Sequence, residues 1–567
     1  MQWSALLAGL GLVLSLTPAQ AMISCQPVKP GEKFVSPIVN PGKISPIDGT
    51  CWVNKLTLTA FDDAKLTANV FLPRITRVDQ RFPAIIMVNS WALADFEYLG
   101  QAARLARDGY VVYSYSTRGF WQSEGQVEVA GPQDIRDVSS ALDWLQAHAP
   151  VDMKNVGISG ISYGSGISLI ALAQEPRLKT AAALSTWGNL EDELYGADTA
   201  NQTWSDLLVN SGKLFGRLNP IVPAYAAALK EPRTPKSKID EIRVWARIRS
   251  PLQYVPMLNA RQAPVFISKN FQDDLFTPNS SLEMFRRLTG PKKLLVNQGI
   301  HAVTEVPGAL LGADNYIYDQ AHRWFDYWLK GEPNGIVDEP KVTMEVKFSR
   351  ARDSFDDYPA SNVLDHTYYL HPRGAVRWDL SCWCWKGGVG ELASTANQQT
   401  ADDWIDNAAD TTATSGPIPI FSTLAESANI PIVNWLPSVH RGQGVRYEGP
   451  WLRDALRLRG IPKLTLKLKP SQPQAQLVAY LYDVDGLGFG KLITHGVRTV
   501  VDARPGAVLD FPIEFSATAY DVPAGHRVAV VLDTRDSLYA HPSDGYLDKR
   551  LVFNGHTQST LILPSIR

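Results

Sequence analysis

Five residues, Gly160-Ile161-Ser162-Tyr163-Gly164, carry the strongest chemical signal in this chain. The apolar stretch Asn155 to Ser159 leads into them and reads as a buried strand. Gly166 to Gln174 follows and reads as helix, with Ile167, Leu169, Ile170 and Leu172 on it. A serine in a Gly-x-Ser-x-Gly turn between strand and helix is a nucleophile elbow. The turn is too tight for side chains at its flanking positions, so glycine stands two residues either side of the serine. The hydroxyl is lifted above the sheet at a helix N-terminus, where free N–H groups and the helix dipole favour negative charge.

A serine hydroxyl is a weak nucleophile at neutral pH. It needs a base, usually His, and a carboxylate that fixes the tautomer and stabilises the charged form. The chain has ten His. His301 closes Val296-Asn297-Gln298-Gly299-Ile300-His301, just past a predicted strand. Asp273 and Asp274 follow another in Asn270-Phe271-Gln272-Asp273-Asp274-Leu275-Phe276. Both sites lie at C-terminal strand ends, where open α/β sheets place their ligands. An oxyanion hole needs backbone N–H donors aimed at the developing charge. One is expected from Tyr163. The second is expected from the loop Asn89-Ser90-Trp91, with Trp91 donating through its backbone or its indole N–H.

The elements that must hold these residues can be read along the chain. Leu56 to Leu72 reads as two strands, Pro83 to Asn89 as a buried strand, Leu99 to Asp108 as an amphipathic helix and Val111 to Tyr115 as a strand. Ile135 to His148 reads as helix, and strands are expected at Thr180 to Leu184, Val265 to Lys269 and Lys293 to Asn297. Strands alternating with helices predict a mostly parallel sheet covered on both faces. Between Thr186 and Ser250 that rhythm gives way to helix, as expected of an inserted cap. Past the helix Tyr318 to Lys330 comes a turn-rich linker, Gly331-Glu332-Pro333-Asn334-Gly335. Short strands then follow, from Val342 to Lys347 through Arg527 to Leu532, predicting a β-sandwich.

A chain of 567 residues is too long for one core. The expected division is 1–21 signal peptide, 22–50 extended arm, 51–335 catalytic α/β domain with a cap at about 186–250, and 336–567 sandwich. The net charge of −2 gives nucleic-acid binding no electrostatic support. Ala5 to Leu16 is apolar but too short to span a bilayer, and Ala19-Gln20-Ala21 completes a cleavage pattern. The expectation is export to the periplasm or medium, with no membrane-spanning segment in the mature chain. Met22-Ile23-Ser24 makes a poor lipobox, so a lipid anchor on Cys25 is not expected. Export permits disulfides, and Cys25 with Cys51 is the preferred pair. Cys382 and Cys384 lie too close for an unstrained bond. With His366 and His371 they match no tight zinc-ligand spacing, and neither metal nor cofactor is expected.

Several motifs together resemble one family. They are Gly-Ile-Ser-Tyr-Gly, Arg118-Gly119-Phe120-Trp121-Gln122-Ser123-Glu124-Gly125, the Asp273 segment ending in Leu275-Phe276, and Arg323-Trp324-Phe325-Asp326-Tyr327-Trp328-Leu329-Lys330-Gly331. The family is that of Xaa-Pro dipeptidyl-peptidases, cocaine esterase and α-amino-acid ester hydrolases. The resemblance covers roughly residues 52 to 567. It implies an α/β-hydrolase fold with a helical cap insertion, plus a C-terminal jelly-roll β-sandwich. It further implies Ser162 as nucleophile, His301 as base, and Asp273 rather than Asp274 as acid, because the family's Asp stands two residues before Leu-Phe. Three positions depart from the pattern. Trp91 stands near the place of an oxyanion-hole Tyr, Asn89-Ser90 replaces a His-Gly pair, and Ser116-Thr117 precede Arg118 where an Asp is usual. Arg118 is expected to pair with Asp134 or Asp137.

The expected activity is hydrolysis of small esters, amides or short peptides through an acyl-enzyme on Ser162. Alternatives are an Xaa-Pro dipeptidyl-peptidase and a catalytically silent binding protein of the same fold. Trp187, Glu191 and Trp204 are candidate substrate contacts at the start of the cap. Glu191, Asp192, Glu193, Asp198 and Asp206 stand there without a Lys or Arg between Trp187 and Gly212, either as an acidic mouth for cations or as a solvated helix face. The oligomeric state is not legible.

Overall fold

The computed structural model describes the short strands 34–35 and 43–44 and residues 50–567, apart from 78, 381–383, 387, 397–401, 407–409, 542–549 and 555–558. The expected signal peptide, Cys25 and most of the arm therefore lie outside the described residues. Cys51 is disulfide-bonded.

The first half is one ten-stranded sheet. Its strands are β1 (Cys51–Thr59), β2 (Lys65–Leu72), β3 (Phe82–Val88), β4 (Val111–Tyr115), β5 (Val151–Ile161), β6 (Leu178–Leu184), β7 (Val265–Asn270), β8 (Lys292–Asn297), β9 (Val342–Glu345) and β10 (Arg352–Phe355). The spatial order is β10-β9-β8-β7-β6-β5-β3-β4-β2-β1. The centre is parallel, and β1, β2 and β10 add antiparallel edges. Central strands such as Phe-Pro-Ala-Ile-Ile-Met-Val in β3 are apolar throughout, because helices cover both faces. Helices α1 (Leu99–Arg107), α2 (Pro132–His148) and α3 (Tyr163–Gln174) provide part of that cover.

Between β6 and β7 the chain leaves the sheet to form the cap. Its helices are α4 (Leu190–Tyr195), α5 (Gln202–Phe215), α6 (Ile221–Lys230) and α7 (Lys236–Arg247), and α8 (Val255–Arg261) returns to the sheet. Helix α9 (Pro278–Arg287) follows β7, and α10 (Val306–Leu311) and α11 (Tyr316–Phe325) follow β8. The strand at Val342, expected in the sandwich, joins this sheet instead, pairing parallel with β8. A short strand after a linker looks the same in either place. Only its distant partner decides.

Most of the remaining strands form the C-terminal β-sandwich around a separate core that includes Leu466, Leu481, Phe511, Val530 and Leu563. Sandwich and cap are stitched together. Thr199 and Thr499 hydroxyls meet at 2.7 Å, Ala540 N–H donates to Ala200 O at 2.9 Å, and Thr203 Oγ1 donates to Ser537 O at 2.9 Å. Asn279 on α9 exchanges two hydrogen bonds with the backbone of Phe515 and Ala517.

Candidate active site

Ser162 stands at the end of β5 with φ 52° and ψ −117°, a left-handed conformation rare for a side-chain-bearing residue. The flanking glycines permit it. A Cβ on Gly160 would lie 2.3 Å from the carbonyl carbon of Gly164, and one on Gly164 would lie 2.0 Å from Val88 O. The loops after β7 and β8 bring the partners over this turn. His301 Nε2 lies 2.7 Å from Ser162 Oγ, and His301 Nδ1 lies 2.9 Å from Asp273 Oδ2. Phe276 and Trp204 pack edge-on against the imidazole at 4.8 and 5.9 Å between ring centres.

Asp273 is fully buried and accepts four hydrogen bonds. Besides His301, Lys269 Nζ donates to Oδ2 at 2.5 Å, and the N–H groups of Leu275 and Phe276 donate to Oδ1 at 3.1 and 2.9 Å. Burial opposes its charge, but His301 and Lys269 outweigh that and hold the carboxyl below its ordinary value. Asp274 is held differently. Burial, with the charges of Glu426, Asp273 and Asp536, pushes its carboxyl well up. Lys269 was invisible as a site residue in the sequence, although a lysine ending the apolar run Val-Phe-Ile-Ser-Lys-Asn was a signal worth reading.

The elbow also has a polar floor. Tyr163 hydroxyl donates to Asp134 at 2.9 Å, and Asp134 is pushed up to about 7 by burial and by the charge of Asp137. Arg118 makes two bonds to Asp137, at 2.6 and 2.7 Å, and two to Asp62, at 3.1 and 3.4 Å. It therefore selects Asp137 and not Asp134, and is fully buried in a structural role.

One sequence expectation fails for Trp91. Its indole N–H donates to Leu208 O of α5 at 2.9 Å and is not free for an oxyanion. The ring packs edge-on against Tyr163.

A cavity opens from Ser162 into the cap. Trp91, Trp187, Leu194, Leu208, Tyr225 and Trp245 contribute to a mostly apolar wall. Trp187 and Glu191 line this cavity, whereas Trp204 packs beside His301 outside the lining. Glu191 and Arg243 are the charged residues of the wall, and they are paired at 2.7 Å. The acidic segment is spoken for elsewhere too. Arg243 also holds Asp198 at 2.7 Å, Lys230 pairs with Asp206, and buried Glu193 accepts from Thr277 and Ser280. Among the described residues no group of three or more His, Cys, Asp or Glu is placed to hold a metal ion, and no helix is long and apolar enough to cross a membrane.

A serine, aspartate and histidine in this chain order on an α/β-hydrolase sheet define a serine hydrolase acting on ester or peptide bonds. Residues 62–303 match the model of the X-Pro dipeptidyl-peptidase S15 family, and 334–561 match the X-Pro dipeptidyl-peptidase C-terminal non-catalytic domain. The chain belongs to that family. It is 22% identical over 469 residues to a Bacillus anthracis protein provisionally named an Xaa-Pro dipeptidyl-peptidase, covering 76% of this chain and 70% of the relative. It is 23% identical over 522 residues to cocaine esterase of a Rhodococcus species, covering 83% and 88%. The solved structure of an α-amino acid ester hydrolase shares the fold, with TM-score 0.68, 16% identity, and 97% and 100% of the two chains covered.

Proposed function

We propose that Ser162 is the nucleophile, His301 the general base, Asp273 the orienting acid, and the backbone N–H groups of Tyr163 and Trp91 the oxyanion donors. Ser162 Oγ bonds to the acyl carbon while its proton passes to His301 Nε2. The tetrahedral intermediate collapses to the acyl-enzyme, and the leaving group takes the proton from His301. Water then repeats the sequence and frees the acid.

The acyl group this site suits is uncharged and apolar, so esters of neutral carboxylic acids are favoured over peptides with a free amino terminus. One observation carries the reading: the serine–histidine–aspartate chain opens into an apolar cavity whose lining carboxylate, Glu191, is already neutralised by Arg243. The family matches favour the second reading, an Xaa-Pro dipeptidyl-peptidase. That activity needs a carboxylate left over for the substrate ammonium. Fluorophosphonate labelling, with p-nitrophenyl ester and Gly-Pro-p-nitroanilide assays, separates the two. The expected result is Ser162-dependent labelling and ester turnover, both lost in Ser162→Ala. Preferential cleavage of the anilide would instead establish the peptidase, and an unlabelled folded protein would favour a silent binding role.

We also propose export to the periplasm or medium. The apolar stretch with its cleavage pattern and the disulfide at Cys51 support it. Fractionation with N-terminal sequencing is expected to find a mature chain starting at Met22 outside the cytoplasm; a chain kept whole in the cytoplasm would refute it.

A further inference from the structure

The loop Asn89-Ser90-Trp91 is held by an acid that the triad does not use. Glu97 lies in the turn before α1 and is almost wholly buried. Its Oε2 accepts from Ser90 N–H at 2.6 Å, and its Oε1 lies 2.6 Å from Ser90 Oγ. Ser90 Oγ lies in turn 3.1 Å from the carbonyl oxygen of Ile161, the residue before the nucleophile. The next residue, Tyr98, braces the other side. Its hydroxyl donates to Val88 O at 2.8 Å and accepts from Ile161 N–H at 2.8 Å. Glu97 and Tyr98 thus tie the oxyanion loop to the last residue of β5.

Counting protons distinguishes the two forms of Glu97. The Ser90 hydroxyl has one proton and two neighbouring oxygens. A backbone carbonyl can only accept, so Ser90 must donate to Ile161 O if that contact is a hydrogen bond. Ser90 Oγ then accepts from Glu97 Oε1, which must carry the proton. With Glu97 protonated every contact is satisfied. With Glu97 ionised, Ser90 turns its proton to the carboxylate and the tie to Ile161 is lost. An anion would also sit one residue from the N–H that faces the developing oxyanion, and would oppose it.

We propose that Glu97, held as an uncharged carboxylic acid, is the positioning residue that fixes the Ser90–Trp91 backbone as oxyanion donor beside Ser162. This rests on the serine-hydrolase roles proposed above. The surroundings agree. Burial pushes the Glu97 carboxyl up to about 8, against the Ser90 hydrogen bonds. Facing this region are Tyr98 on the same turn and Tyr318 on α11, whose hydroxyl donates to the backbone of buried Glu305, itself facing His301. Asp95, also on the turn, is engaged with Asn69 and Ser116. None of these groups in contact with the turn brings a positive charge that would favour ionised Glu97.

The test compares pH profiles of ester hydrolysis, from about pH 6 to 10, for the unsubstituted protein, Glu97→Gln and Glu97→Leu. A glutamine amide can donate to Ser90 Oγ and accept from Ser90 N–H, so it copies the protonated acid and cannot ionise. The unsubstituted protein is expected to lose kcat above about pH 8. Glu97→Leu should lower kcat by about 10²-fold, the scale of one oxyanion donor, with KM little changed. Glu97→Gln should restore most of that at pH 7 and carry its plateau past pH 8 to 10. A folded Glu97→Gln that keeps the alkaline fall, or loses activity equally at every pH, overturns the proposal, as does an unsubstituted protein that is flat above pH 8. If Glu97→Leu fails to fold, the Gln profile still decides. Fluorophosphonate labelling checked in parallel separates this outcome from failure of the Ser162 mechanism.

Discussion

Two regions meet at Ser162, and they are built in different ways. Below it, Ser162, Asp273 and His301 leave the ends of β5, β7 and β8 in one sheet, so strand register sets their spacing and hydrogen bonds saturate Asp273. Above it, the cavity wall is a mostly apolar set of side chains, many of them on cap helices. The sheet can therefore fix the reaction while the cap fixes the acyl group, and substitutions in the two regions should change different kinetic constants.

The largest effect should come from the sheet side. Asp273→Asn keeps the shape of the site but offers His301 an amide where it needs a carboxylate. It is expected to lower kcat by about 10³- to 10⁴-fold with KM barely altered, checked by steady-state ester hydrolysis. On the cap side, Leu208→Phe should narrow the cavity and spare the backbone carbonyl that holds Trp91. The expected result is a loss of about 10-fold or more in kcat/KM for long or aromatic acyl esters, with acetate esters within about threefold. If both ester classes fell together, the division between the regions would be wrong. Arg243→Met probes the same wall more gently by releasing Glu191 and Asp198. Aminoacyl esters should gain up to about tenfold relative to neutral esters, and the gain should shrink in high salt.

The smallest expected effect lies beneath the elbow. Asp134 titrates near 7 when folded and near 4 when unfolded, so in that window the folded chain holds a proton that the unfolded chain has lost. Stability contributed by this group therefore falls as pH rises from about 4 to about 7. Asp134→Asn lacks that fall. Its Tm relative to the unsubstituted protein should rise by a few degrees across the window and level off above it. A difference that is flat with pH would show Asp134 ionised throughout.

What could be read from the sequence follows the same division. The strand-turn-helix pattern around Ser162, and the loops after β7 and β8, are local features, so the parallel sheet and the three side chains that meet at its end were legible. Choosing Asp273 over Asp274 needed the family resemblance, because two adjacent carboxylates at one strand end look alike. The acidic mouth was misleading for the opposite reason. Its neutralising partners, Lys230 and Arg243, lie on later cap helices, beyond the stretch in which the charges were counted. Trp91 illustrates the same limit. Its indole has a partner 117 residues away, and nothing near Trp91 announces it. Lys269 and Glu97 stayed hidden because a buried ionisable residue is recognised by what surrounds it.

The stitching of sandwich to cap sets a limit on how this protein could be shortened. Gly331 to Gly335 looks like a natural place to cut, but it divides only the covalent chain. Loop 537–540 holds the start of α5, and the backbone at Phe515 and Ala517 holds α9, so the far half of the polypeptide is a brace for the roof and rear wall of the reaction chamber. A fragment ending at the linker would retain every atom of the triad. It would lack the contacts that hold α5 and α9 in place, and a minimal enzyme of this kind would have to be redesigned along that seam.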